Sequence, residues 1–199
     1  MEKGVENGHH IDDITGVILA GGRSRRFGSN KALAMVDGKP LIQRVADLMA
    51  GLFAECLLVT NTPAEYTFLT LPMTPDRYRE SGPLAGIHAA LLQISTPLAF
   101  VVACDMPNLS APLIRYICNI NEPQYDVIIP WPEKGQEPLF GIYHKRSLKV
   151  IDTCLQQNDC QIIRALSGLR VRRVSEQEIL SITDDLTCFR NINRPADLS

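Results

Sequence analysis

Short apolar runs alternate along the chain with longer stretches of helical spacing, and that alternation is its strongest signal. Residues 15–20 (TGVILA) form a β-branched apolar run that stops at two glycines, as a strand buried on both faces does. Pro40 then opens LIQRVADLMAGLF, where Leu41, Val45, Leu48 and Leu52 share one helical face. Residues 56–59 (CLLV) read as a second buried strand, ending at Thr60 and Asn61. A helix over 83–94, a strand over 98–103, a helix over 111–119 and a strand over 126–130 follow. Beyond them, 139–144 reads as a strand, 146–157 as a helix with 161–167 continuing helical, and 170–174 as a short edge strand. Residues 191–198 read as a loop running into a short helix. Strands separated by helices of this length need right-handed crossovers, so the expected fold is α/β: a three-layer, doubly wound, mostly parallel sheet. Ligands of such sheets sit beyond the carboxyl ends of the strands, which makes the residues just after each strand the candidates for chemistry.

The chain has 199 residues, 45% of them hydrophobic, enough for one sizeable core, and nothing inside it looks like a linker. Residues 14–199 are therefore expected to form one domain, with 1–13 as a flexible tail. That tail (MEKGVENGHHIDD) is polar and has no apolar signal-peptide region, and no run has the length to cross a bilayer. His9 and His10 read as part of a frayed terminus rather than a metal site. The formal net charge of −2 supplies no field toward nucleic acid or anionic lipid, so neither is expected as a partner. Six cysteines (Cys56, Cys104, Cys118, Cys154, Cys160, Cys188) show no C-x-x-C pair, the pattern of reduced thiols in a cytoplasmic protein.

The segment after the first strand changes the picture. In Leu19-Ala20-Gly21-Gly22-Arg23-Ser24-Arg25-Arg26-Phe27-Gly28-Ser29-Asn30-Lys31, two glycines allow a sharp turn with N–H groups free to face phosphate oxygens. Three arginines and a lysine follow the glycines within ten residues, and crowded cations call for a polyanionic ligand. The plainer alternative is a solvated basic loop. The segment is neither a P-loop nor a G-x-G-x-x-G fingerprint, which weakens kinase and dehydrogenase readings.

L-A-G-G-R-S-R-R-F-G-S-N-K resembles the signature loop of the molybdenum cofactor guanylyltransferases, within the GT-A-like nucleotidyltransferases. Their pattern is L-A-G-G-x-S-x-R-M-G-x-D-K, and this chain departs from it at Phe27 and at Asn30, where aspartate is usual. The resemblance extends over nearly the whole chain after about residue 14. Asp76 followed by Ser81-Gly82-Pro83-Leu84-Ala85-Gly86 is similar to the family's aspartate and G-P-L-A-G; Gly82 lets the helix N-terminus approach a ligand. The family's aspartate lies at the nucleoside end, and a carboxylate can accept from both N1–H and the 2-amino group of guanine. A helix N-terminal charge is the other role open to Asp76. Cys104-Asp105-Met106-Pro107 resembles C-D-x-P, and an aspartate at the tip of an apolar strand calls for a cation, Mg²⁺ above all, unless it merely caps the next turn. Gln136-Glu137-Pro138 matches a looser family feature near the acceptor. Asn191-Ile192-Asn193-Arg194-Pro195 resembles the terminal N-x-N-x-P, whose amides could meet a pterin or cap a helix.

The resemblance implies a nucleotide-diphospho-sugar transferase type of fold and transfer of GMP from GTP to molybdopterin, with release of pyrophosphate. Arg25, Lys31 and Asp105 are the expected catalytic residues. Leu19, Ala20, Gly21, Gly22, Lys31, Asn61, Asp76, Gly82 and Asp105 line the nucleotide site, with Asp105 holding Mg²⁺; Arg23 faces solvent. Carrier or insertion proteins for the molybdenum cofactor are the implied partners. Two rival readings stand beside this one: a sister enzyme using CTP on molybdopterin or an NTP on a sugar or alditol phosphate, and a non-catalytic nucleotide-binding protein. The second predicts loss of Lys31 or Asp105, and both are present.

Overall fold

A computed structural model describes residues 10–21, 30–78 and 81–192. Its centre is a seven-stranded sheet with strand order β5-β4-β1-β6-β8-β7-β9. The strands are β1 (Ile14–Leu19), β4 (Cys56–Val59), β5 (Met73–Thr74), β6 (Leu98–Ala103), β7 (Val127–Trp131), β8 (Phe140–His144) and β9 (Val171–Ser175). All pairings are parallel except those of β8, which runs antiparallel between β6 and β7. β1 and β6 are buried along their entire length, which is why both read as unbroken apolar runs rather than alternating ones. A separate hairpin joins β2 (Met35–Val36) to β3 (Lys39–Pro40).

Helices close both faces. On one lie α1 (Leu41–Leu52) and α3 (Ala111–Asn119), where Met49 and Ile114 pack with Ile18 and Phe100. On the other lie α2 (Gly82–Gln93), α4 (Leu148–Gln156) and α5 (Ile162–Ser167), where Ile87 and Ile151 pack with Val17 and Val101. A short α6 (Glu176–Leu180) follows β9. The three-layer, mostly parallel arrangement expected from the sequence is the one observed.

Three details differ from the sequence reading. Residue 146 does not begin a helix: Lys145–Ser147 is a 3₁₀ turn and α4 starts at Leu148. The reason is that Arg146 is drawn off to Asp126, donating from Nε to Oδ1 at 2.6 Å, while its backbone N–H is taken by His144 Nδ1. The body also starts before residue 14. Ile11, assigned above to the tail, donates to the Leu52 carbonyl at 2.9 Å and accepts from Ala54 N–H at 3.1 Å, with its side chain against the α1-side core. Finally, β5 is two residues long, too short for any periodicity to mark it. The expected short helix after Asn191 falls on residues 193–198, outside the described ones.

Candidate active site

The register of four adjacent strands sets the site. Leu19 of β1 pairs with Val59 of β4 and with Ala103 of β6, and Val59 pairs with Thr74 of β5. The ladder continues one residue further through Ala20 N–H to the Val59 carbonyl, Cys104 N–H to that of Leu19, and Thr60 N–H to that of Thr74. Counting two residues past each of these strand ends gives Asp76, Asn61, Gly21 and Asp105, in that order across the sheet. Neighbouring strands are about 4.8 Å apart, so Asp76 and Asp105 mark the two ends of a row roughly 14 Å long. The row lies at the switch point, where the chain leaves β1 toward β4 on one side and returns to β6 on the other.

At the β6 end, Lys31 Nζ lies 2.7 Å from Asp105 Oδ2, with the two side chains 13% and 23% exposed. Lys31 comes from the 3₁₀ turn Lys31–Leu33, capped by the Asn30 side chain. The second carboxylate oxygen, Asp105 Oδ1, is buried and has no hydrogen-bond partner among the described residues. An orphaned anionic oxygen in this position is costly unless a cation or a donor meets it, so Asp105 fits a metal ligand. Among the described residues no group of three His, Cys, Asp or Glu side chains could hold a metal alone. A hard cation bound here would take one carboxylate and complete its shell from phosphate and water, the habit of Mg²⁺. The adjacent Cys104 thiol is pushed up to about 12 by burial, so it packs as a neutral group. All six cysteines are free.

At the β5 end, Asp76 and Asn61 hold each other. Asn61 Nδ2 donates to Asp76 Oδ2 at 2.7 Å, and Asp76 N–H donates to Asn61 Oδ1 at 3.1 Å. Asp76 Oδ1 is again buried without a hydrogen-bond partner among the described residues. Asp76 is thus braced by the loop after β4 through its side chain and its backbone N–H. Between the two ends stands α2. Gly82, at φ +69°, opens the helix in a conformation that side chains resist, and among the described residues no side chain caps its first N–H groups. A Cβ on Gly86 would come 3.2 Å from Leu19 Cδ2, so glycine there lets α2 lie close over the end of β1. Leu19 and Ala20 are buried at the end of β1. At Gly21 a Cβ would meet nothing within 4 Å among the described residues.

Gly22, Arg23 and Arg25 lie outside the described residues, as does Asn193. The loop before β8 carries Gln136 and Glu137 to the same sheet edge, because antiparallel β8 starts beside the end of β6. Burial raises the Glu137 carboxyl above its ordinary value. The terminal motif arrives too: Ile192 N–H donates to the Asp105 carbonyl at 3.0 Å, which sets exposed Asn191 beside the site.

Sequence reasoning missed one cluster. Tyr78, two residues after Asp76, donates its hydroxyl to Asp152 Oδ1 at 2.7 Å, and His88 Nε2 lies 3.2 Å from the same oxygen. Tyr78 and His88 meet edge to face at 5.3 Å. Burial lowers the His88 pKa, against the pull of Asp152. The cluster ties the loop that bears Asp76 to α2 and α4. Nothing in the spacing of Tyr78, His88 and Asp152 marks them in the sequence.

Comparison with known proteins agrees with this geometry. Residues 16–174 match the family model described as the MobA-like NTP transferase domain. The chain is 39% identical over 189 residues to the molybdenum cofactor guanylyltransferase of Desulfosudis oleivorans, covering 94% of each chain. It is 40% identical over 184 residues to a probable molybdenum cofactor guanylyltransferase of Pelotomaculum thermopropionicum, covering 92% of this chain and 89% of that one. Molybdopterin-guanine dinucleotide biosynthesis protein A from Archaeoglobus fulgidus superposes with a TM-score of 0.82 at 26% identity, over 92% of this chain and 94% of that one. With a sheet, a site row and a family model that coincide over most of its length, the chain belongs to the MobA-like NTP transferase family.

Proposed function

We propose that this chain is a molybdenum cofactor guanylyltransferase, which moves GMP from GTP to the terminal phosphate of molybdopterin and releases pyrophosphate. The observation that supports the reading is the row itself: a buried carboxylate oxygen at each end, on Asp76 and on Asp105, with no hydrogen-bond partner among the described residues, and Lys31 beside the second. The relatives' names supply the acceptor and the base.

In this reading an oxygen of the acceptor's phosphate attacks the α-phosphorus of GTP. That P–O bond forms while the α–β anhydride bond breaks, and the electron pair leaves with pyrophosphate. The nucleophile is already anionic, so no general base is needed, and catalysis is a matter of position and charge. Asp76 and Asn61 hold the nucleoside end, and the braced carboxylate offers its spare oxygen to the base. The uncapped N–H groups at the start of α2, with Gly21, Gly22 and Arg25, cradle the phosphates. Lys31 can turn from Asp105 to the β- and γ-phosphates and take up charge on the leaving group. Asp105 would hold Mg²⁺ through Oδ1, and the ion supplies Lewis-acid charge stabilisation at the reacting phosphates. Glu137 and Asn191 flank the β6 end and are assigned to the acceptor side, which is also where a cofactor carrier or insertion protein would approach.

The test is direct. Purified protein is incubated with GTP, Mg²⁺ and molybdopterin, and the products are identified by mass. One guanine dinucleotide per pyrophosphate is the expected outcome; pyrophosphate without the dinucleotide refutes the acceptor.

A further inference from the structure

The turn that carries Lys31 is tied to the loop after β4 through one side chain. Asn30 Oδ1 accepts from Ala32 N–H at 3.1 Å and so shapes the turn. Asn30 Nδ2 donates to the Glu65 carboxylate and, at 2.8 Å, to the Tyr66 hydroxyl. Glu65 and Tyr66 lie in the 3₁₀ turn Pro63–Tyr66, which begins two residues after Asn61. Tyr66 is 2% exposed, with its ring in the core on the α1 side, so its hydroxyl is a fixed point rather than a follower.

This arrangement needs an acceptor and two donor hydrogens on one short planar group. Asparagine has them. An ionised aspartate could still cap Ala32, but it has no proton for Glu65 and sets a like charge against it. Lys31 is thus gripped on both sides: its backbone follows a turn anchored to the β4 loop, and its ammonium reaches Asp105 after β6. We propose that Asn30 is a positioning residue that sets Lys31 relative to the nucleoside-binding loop, and that Glu65 is what demands an amide there. The inference rests on Lys31 being the cation that meets the triphosphate.

The test exchanges the polarity of the pair. Asn30→Asp, Glu65→Gln and the double variant are compared for pyrophosphate release and for GTP–Mg²⁺ affinity by calorimetry, with Lys31→Ala as a control. Melting temperatures are recorded alongside. Asn30→Asp is expected to lower kcat/KM for GTP at least about tenfold, while melting stays close to wild type. Glu65→Gln alone keeps an acceptor for Asn30 and should be near wild type. In the double variant the amide introduced at position 65 can donate to the carboxylate introduced at position 30, and activity should return to within about threefold of wild type. A double variant as slow as Asn30→Asp overturns the proposal, as does an Asn30→Asp protein with normal kinetics. If Lys31→Ala is silent, the role given to Lys31 fails and takes the proposal with it; loss with Lys31→Ala alone refutes the tie and leaves that role standing.

Discussion

Lys31 Nζ rests 2.7 Å from Asp105 Oδ2, while Asp105 Oδ1 is buried with no hydrogen-bond partner among the described residues. The pair joins the turn after β1 to the end of β6. Asp105→Asn removes the charge but keeps an acceptor for Lys31. With Asp105 as the proposed metal ligand, turnover should fall by at least about a hundredfold, because the charge that would fix the ion at the reacting phosphates is gone. The melting temperature should change little. Near-normal turnover at ordinary Mg²⁺ would remove Asp105 from the metal site.

Lys31→Ala acts differently. In the proposed reaction the ammonium would meet the triphosphate before and during transfer, so GTP affinity and turnover should weaken together. The variant also takes the ammonium away from Asp105, so added Mg²⁺ should recover part of the activity. A rise in KM with kcat unchanged would make Lys31 a binding group only.

The N-terminal boundary can be tested by truncation. Removing residues 1–12 deletes Ile11 and its two backbone hydrogen bonds to α1 and the turn after it. At about 0.5–1.5 kcal/mol for each bond, and about 2–4 °C per kcal/mol at this size, melting should fall by roughly 2–12 °C. An unchanged melting temperature would return Ile11 to the tail.

Acid sensitivity should be traceable to Glu178. The Arg172 guanidinium beside it, with the Ser175 N–H and hydroxyl, holds its carboxyl down at about 2, against the opposing effect of burial. An unfolded glutamate titrates near about 4.3. A depressed native pKa contributes stability that is complete above the unfolded value and is lost as pH falls through the native one. Stability should therefore decline between about pH 4.3 and pH 2, and Glu178→Gln should shrink that decline. Asp126, held low by Arg170 and Arg146, adds to the same limb and remains in the variant. Denaturant midpoints at about pH 6 and about pH 3 check this; an identical acid drop in both proteins would contradict it.

The fold was legible because β1 and β6 are buried on both faces and so appear as bare apolar runs. The positions of Asn61, Gly21 and Asp105 were legible because parallel strands bring their carboxyl ends to one edge, whereas Asp76 follows the two-residue β5 and was marked only by the family resemblance. Other elements left a signal that went unread. Asp37 and Gly38 both have positive φ, at 48° and 78°, as the two-residue turn between β2 and β3 requires, and the D-G pair is its usual mark. Ser175 and Glu178 form a capping box that announces α6. The Tyr78–His88–Asp152 cluster and the Asn30 tie could not be read at all. Each depends on side chains many residues apart, and only the finished packing brings them together.

In the proposed reaction the Asp76 end of the row reads the base. The Asp76 carboxylate can accept from two adjacent donors on guanine, a pair that adenine does not offer on that edge. Losing a charge-assisted contact of this kind costs about 1.5–3 kcal/mol, or about tenfold to a hundredfold in discrimination. The decisive measurement is pyrophosphate release with Mg²⁺ and molybdopterin from each of GTP, CTP, ATP and UTP, by wild type and by Asp76→Ala. Wild type should use GTP far better than the other three, and Asp76→Ala should lose most of that preference while still turning over. Preferred use of CTP by the wild type would contradict guanylyl transfer and place the chain with a cytidylyl-transferring sister; an equal loss toward all four nucleotides in Asp76→Ala would move Asp76 from the base to the ribose.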